Sequence, residues 1–259
     1  MQTQNMPDVQ SSKDLRATPI QKVGVRGVKY PIIIKTGKEI QHSVGNWTMT
    51  VYLPAEEKGT HMSRFLALLE EHDKQAMNPH DFMQLTEKMK GLLQSQKANI
   101  KVTFPYFMQK VAPVSGVTSP MDYEVTWHAN VEEGVSDFEV TVVVPVMSLC
   151  PCSKAISKYG AHNQRSYITV TLGCSPDLDL DELIRQIEAQ GSCQLWGLLK
   201  RPDEKYVTEH SYDNPKFVED LIRDVAVTIQ SLPSIRYYHI EVENLESIHN
   251  HSAYASISG

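Results

Sequence analysis

The sequence predicts an α+β fold made of two successive ββααββ units, with antiparallel sheets carrying helices on one face. Three observations predict it. Short stretches rich in β-branched and aromatic residues come in pairs, as VKYPIIIKT does with WTMTVYL. Between such pairs lie segments with apolar residues at helical spacing. The order strand, strand, helix, helix, strand, strand then recurs beyond Gly134, as a repeat of pattern without residue-level identity.

Residues 1–20 form a polar leader with no apolar signal core and read as mobile. The first unit spans 21–134. Its two strands end near Pro54, and THMSRFLALLEEH follows with Phe65, Leu66, Leu68 and Leu69 at helical spacing. Asn78-Pro79 opens a second helix whose apolar face is Phe82, Met83, Leu85, Met89 and Leu92. NIKVTFPYFMQKV and MDYEVTWHANV close the unit as strands. The second unit spans 135–259. SDFEVTVVVPVMSL and SYITVTLGC read as strands, LDELIRQIEAQ and NPKFVEDLIRDVAVTIQSL as helices, and IRYYHIEVENL and SAYASIS as strands. In the second of those helices Pro215 takes the first position, with Phe217, Leu221 and Ile222 toward the core.

A chain of 259 residues is long enough to bury a substantial core, and 41% hydrophobic with 22% charged residues is ordinary for a globular protein. A net charge of -6 argues against nucleic acid and anionic membrane as partners. No apolar run approaches membrane-spanning length. Without a signal core, and with four cysteines, at 150, 152, 174 and 193, a disulfide scaffold is not expected and a cytoplasmic setting is. Cys174 and Cys193 sit among apolar residues and read as packing groups, and Trp47, Trp127 and Trp196 as core or interface.

The densest chemistry lies in VMSLCPCSKAISKYGAHNQRS, a donor-rich loop between two strands that carries Cys150, Cys152, Lys154, Lys158, His162 and Arg165. Thiolate and imidazole together suit a borderline cation such as Zn²⁺. Read blandly, the same residues are two small core cysteines and an exposed histidine. No second C-x-x-C is present, which excludes a zinc ribbon, whereas a catalytic site needs only three protein ligands and an open position. ENLESIHNHSAYA supplies His249 and His251, which face one side if the chain is extended. By itself Glu204, in LLKRPDEKYVTEH, is a carboxylate in a charged surface turn, and Lys200, Arg201 and Lys205 are its solvated neighbours. Arg64 lies three residues from His61 on one helical side, and Glu219 stands one turn into a helix, where most glutamates face water.

Taken together, KGTHMSRF at 58–65, APVSG at 112–116, SLCPCSKAISKYGAHNQRS at 148–166, LLKRPDEKYVTEH at 198–210, NPKFVED at 214–220 and ESIHNHSAYA at 246–255 resemble the type IB GTP cyclohydrolases. The likeness runs from about Asp8 to the C-terminus. It implies the tunnelling fold and a homotetramer with sites at subunit interfaces. It implies conversion of GTP and water to formate and 7,8-dihydroneopterin triphosphate at Zn²⁺, Mn²⁺ or Fe²⁺. Cys150, His162 and Glu204 would ligate the metal, and His249 would lie beside it as ligand or proton carrier. Glu219 would grip the pyrimidine edge of the substrate. Arg64, Lys154, Lys158, Arg165, Lys200, Arg201 and Lys205 are the cations available to the triphosphate. Cys152 has no assigned role. Two other readings stay open at this point: a nitrile reductase of the same fold with a cysteine nucleophile and NADPH, and a non-catalytic, zinc-stabilised assembly module.

Overall fold

A computed structural model describes residue 10 and residues 12–36, 39–233 and 235–259. The expectation for residues 1–9 and 11 therefore lies outside the described residues. Downstream of these, Ser12 and Asp14 exchange backbone hydrogen bonds with Lys58 and Glu56.

The chain divides into two compact units. The first holds the described residues up to Phe104 together with Trp127–Phe138, and the second holds Pro105–Thr126 and Glu139–Gly259. In the first unit β1 (Ile20–Thr36) pairs antiparallel with β2 (Glu39–Leu53), and β2 with β4 (Lys97–Val111). The two-residue β3 (Ala76–Met77) runs parallel to β1, so the sheet is mixed. At the Arg26/Val28 register shift of β1 stands Gly27 with φ +74°, a left-handed conformation that glycine adopts without a Cβ clash. Helices α1 (Met62–His72) and α2 (Pro79–Leu92) occupy the expected segments. The Asn78 side chain accepts from the Asp81 amide and the Asp81 carboxylate accepts from the Asn78 amide, a reciprocal cap that starts α2. Phe82, Trp47, Phe104 and Phe138 surround or adjoin Trp127 through ring contacts 5.1–6.5 Å apart, and all five rings are buried.

Strand β4 contributes residues to both units, as do β5 (Thr118–Glu132) and β6 (Val135–Leu149). The two residues joining them, Glu133 and Gly134, both have positive φ, the backbone of a tight two-residue turn. In the second unit β6 pairs with β7 (Asn163–Cys174), β7 with β8 (Ile235–Asn244), and β8 with β9 (Ala253–Ser258), all antiparallel. Val140, Val142, Val144 and Val146 alternate inward along β6 and are buried, the period-two pattern of a half-covered sheet. Helix α4 (Leu180–Glu188) buries Leu183, Ile184 and Ile187, and α6 (Val218–Gln230) buries Leu221, Val225 and Ile229 while packing on β8 and β9.

Four expectations for this unit change. Residues Pro151–Ile156, expected as loop, form the short helix α3, and Arg201–Asp213, expected as a surface turn, form the helix α5. Glu204 is thus helical. Helix α6 starts at Val218, so Pro215 precedes it, and Phe217 is an exposed N-cap residue outside the core. The Asp220 carboxylate accepts from the Phe217 amide and sets that start. Finally, His249 and His251 lie in an irregular connection between β8 and β9, not in a strand, yet their rings stack with centroids 5.1 Å apart.

Candidate active site

The paired strands β6 and β7 end together, with Ser148 opposite Gln164 and Leu149 opposite Asn163. The backbone then closes on itself, because the Cys150 amide donates to the His162 carbonyl at 3.1 Å. Ser153 ties the two candidate ligands a second time. Its hydroxyl accepts from the His162 amide at 3.2 Å and donates to the Cys150 carbonyl at 3.1 Å. The half-buried Cys150 Sγ accepts from the Ser153 amide at 3.4 Å, while Cys152 is exposed on α3. Proline at 151 fixes the first residue of α3 and leaves Cys150 as its extended cap.

Other elements reach this strand end through backbone bonds. The Lys216 amide donates to the Leu149 carbonyl at 3.1 Å, which brings the segment before α6 alongside Cys150. Glu219 stands three residues on, exposed in the first turn of α6, where the helix dipole favours a carboxylate. The Leu245 amide donates to the Arg165 carbonyl at 2.9 Å, which carries the connection bearing His249 to the start of β7. From that connection Ser247 Oγ approaches His162 Nδ1 at 3.3 Å. His162 Nδ1 also lies 3.0 Å from Gln164 Oε1, so Nε2 is the nitrogen left for an outside partner.

Glu204 is held differently. The Lys154 ammonium donates to the Tyr212 carbonyl, at the far end of α5, and sits 4.3 Å over the Tyr212 ring. Eight residues of helix separate Tyr212 from Glu204, about 12 Å along the axis. The Glu204 end is anchored instead by Asp203, which is wholly buried and accepts from Ser115 Oγ at 2.6 Å and from the Ser115, Val114 and Lys200 amides at 2.8–2.9 Å. Burial alone would raise the Asp203 carboxyl, but these hydrogen bonds, that of Ser115 first, hold it well below the ordinary carboxylate range. The APVSG segment is therefore the socket that positions the start of α5, with Lys200, Arg201 and Glu204 exposed around it. Among the described residues of one chain, no three His, Cys, Asp or Glu side chains are gathered as a metal-holding group. The chain joins Cys150 to His162 and leaves Glu204 further along α5.

The cations differ in their commitments. Lys154 is engaged by Tyr212, Lys205 forms a salt bridge with Glu209 at 2.6 Å, and Arg64, in the first unit, donates to the Leu92 carbonyl at 3.2 Å. Lys158, Arg165, Lys200 and Arg201 are exposed. Burial pushes the Cys193 thiol up, in keeping with a packing role. The sequence places Gln164 in the donor-rich loop and Glu246 upstream of the two histidines without a role for either, and gives no prominence to Asp203. The one signal for Asp203 was its place after Arg-Pro, where an acidic residue caps a helix.

A family profile described as "Type I GTP cyclohydrolase folE2" matches residues 6–255. Among curated proteins, "GTP cyclohydrolase FolE2" of Bordetella avium (strain 197N) is 57% identical over 255 residues, covering 98% of this chain and 96% of that protein. The protein of the same name from Janthinobacterium sp. (strain Marseille) is 58% identical over 252 residues, covering 97% and 94%. Among solved structures, the uricase of Arthrobacter globiformis superposes with a TM-score of 0.55 at 7% identity, covering 92% of each chain. A uricase from Bacillus fastidious gives 0.54 at 7% identity, covering 93% and 92%. At such identity the uricases share only the fold, which is the tunnelling fold that the sequence led one to expect.

Proposed function

The chain belongs to the type I GTP cyclohydrolase folE2 family, and on that premise we propose a metal-dependent reaction in which GTP and water become formate and 7,8-dihydroneopterin triphosphate, the first step toward pterins and folate. Cys150, His162 and Glu204 hold the divalent cation (Zn²⁺, Mn²⁺ or Fe²⁺) and His249 lies beside it. The observation that carries this reading is the double tie between Cys150 and His162, which presents a thiol and an imidazole Nε2 from one strand end. Thiolate, imidazole and carboxylate form a three-ligand donor set that keeps a fourth position open. A bound cation of this kind supplies Lewis acidity, lowering the pKa of water toward about 7 so that attack at C8 of guanine can proceed at ordinary pH.

The protein's own groups do the rest. His249 is exposed, and an imidazole can deliver a proton to the departing ring nitrogen. Glu219 presents acceptor oxygens to the adjacent N1–H and N2 amino donors of guanine, a pairing that adenine cannot make. Lys158, Arg165, Lys200 and Arg201 supply charge for the triphosphate, with Arg64, Lys154 and Lys205 contributing once freed from their present partners. The placement of Glu204 along α5 supports a homotetramer in which sites form at subunit interfaces, and Ile156, Tyr159 and Ile248, 85%, 97% and 64% exposed, supply apolar surface for it. No helix among the described residues is long and apolar enough to cross a membrane, the acidic balance argues against nucleic-acid partners, and a cytoplasmic setting is part of the proposal.

The test is formate release from GTP before and after dialysis against a strong chelator. Turnover disappears and returns on adding Zn²⁺, Mn²⁺ or Fe²⁺; full turnover in a verified metal-free preparation would overturn the reading. A second measurement isolates substrate recognition. Glu219→Ala retains its metal but loses at least about tenfold in kcat/KM for GTP, the factor equivalent to roughly 1.4 kcal/mol. An unchanged kcat/KM would show that Glu219 serves only its helix.

A further inference from the structure

We propose that Gln164, clamped by Glu246, is the positioning residue that fixes the His162 imidazole as its Nδ1–H tautomer and so keeps Nε2 available to a divalent cation. The inference rests on the reading of His162 as a metal ligand, and its test separates the two.

Gln164 is 7% exposed, and its side-chain amide lies between two groups that decide its orientation. Its Oε1 is 3.0 Å from His162 Nδ1, and its Nε2 is 3.1 Å from Ser148 Oγ and 3.5 Å from Glu246 Oε1. An amide can be turned end for end, because its oxygen and nitrogen ends are alike in shape. Turned over, the amide nitrogen would donate to Nδ1. The imidazole proton would then sit on Nε2, and that nitrogen would have no lone pair for a metal. The same turn would set the amide oxygen against the Glu246 carboxylate, two acceptors face to face.

The neighbouring hydroxyls do not choose between these arrangements. Ser148 Oγ is buried 2.8 Å from Ser166 Oγ and can donate or accept, as can Ser247 Oγ beside Nδ1. An ionised carboxylate can only accept. Of these groups, Glu246 therefore selects the orientation in which the amide nitrogen faces it and the amide oxygen faces His162. The imidazole must answer with a proton on Nδ1. A histidine ligand whose second nitrogen donates to a fixed acceptor is held in tautomer and ring orientation, and loss of such a partner weakens metal binding by about 10- to 100-fold.

The experiment uses the full-length protein, freed of metal and labelled with [¹⁵N]histidine, at pH 8. The His162 signal, assigned by its absence in His162→Asn, is expected to show a protonated Nδ1 and an unprotonated Nε2 before any cation is added. Zn²⁺ affinity is then measured by competition with a chelator. Gln164→Met binds about 10- to 100-fold more weakly than wild type. The exchanged pair Gln164→Glu with Glu246→Gln, which again turns an acceptor to Nδ1 and a donor to that acceptor, recovers most of the loss. A proton on Nε2 in the metal-free wild type, or wild-type affinity in Gln164→Met, overturns the proposal. Should Gln164→Met fail to fold, the wild-type spectrum and the exchanged pair decide. If instead His162→Asn binds Zn²⁺ as wild type does, it is the ligand reading that fails, while the tautomer is still read directly from the metal-free protein.

Discussion

Cys150→Ala is expected to lose its metal and all measurable conversion of GTP, whereas Cys152→Ala retains part of both. The two thiols are two residues apart and chemically alike, so the difference is one of placement. Cys150 is half-buried at the end of β6, its sulfur meets the Ser153 amide, and its backbone is bonded to that of His162. Cys152 is exposed on α3. On the proposed donor set, removing Cys150 would leave His162 and Glu204, one fewer than the three protein ligands a catalytic cation needs. A cation held there would lower the pKa of water from 15.7 toward about 7, so its loss would cut the supply of hydroxide at neutral pH by about eight orders of magnitude. Metal analysis alongside formate release checks the prediction. A metal-replete Cys150→Ala beside a metal-free Cys152→Ala would reverse the assignment.

Glu188→Ala is expected to lower the melting temperature on the order of 10 °C. Glu188 is 1% exposed at the end of α4 and accepts from Lys110 Nζ at 2.6 Å and from the Tyr123 hydroxyl at 2.7 Å. Lys110 is itself buried, donates to Gln194 Oε1 at 2.9 Å, and lies 5.3 Å over the Trp196 ring. Burial first, and the Glu188 charge second, push the Tyr123 hydroxyl far above its usual range, so it remains a donor. Taking Glu188 away strands a buried ammonium, which costs about 3–5 kcal/mol, or roughly 2–4 °C for each kcal/mol in a chain of this size. Replacing the whole cluster, as Lys110→Met, Glu188→Leu and Tyr123→Phe together, should recover most of that loss, because a buried ion pair is itself little more stable than apolar groups of like volume. Thermal unfolding followed by circular dichroism distinguishes the outcomes. A single variant as stable as wild type would mean that water reaches Lys110.

Most of the fold was legible because its signals are local. The valines of β6, the Asn78-Pro79 start of α2 and the apolar stripe of α6 declare their elements within one window of sequence, since strand and helix bury residues at periods of 2 and 3.6. The two helices that were missed lack that signal. α3 buries no residue at all, and α5 buries only Asp203, Val207 and Ser211, a stripe with one apolar member. The start of α6 was misplaced because Pro215 suits a first helical position, but the Asp220 cap on Phe217 lies three residues further on.

The sequence by itself determined the kinds of chemistry present: a Cys–His segment, two histidines at 249 and 251, and motifs long enough to resemble one family. Tertiary structure alone decided which polar residues matter. Asp203 meets Ser115 across 88 residues, Glu188 meets Lys110 across 78, and Gln164 meets Glu246 across 82. In sequence each of these is a charged or polar residue like those on any surface. Their partners are chosen by sheet pairing and helix docking, and only burial turns an ordinary carboxylate into one that needs a specific donor, because water no longer competes for it.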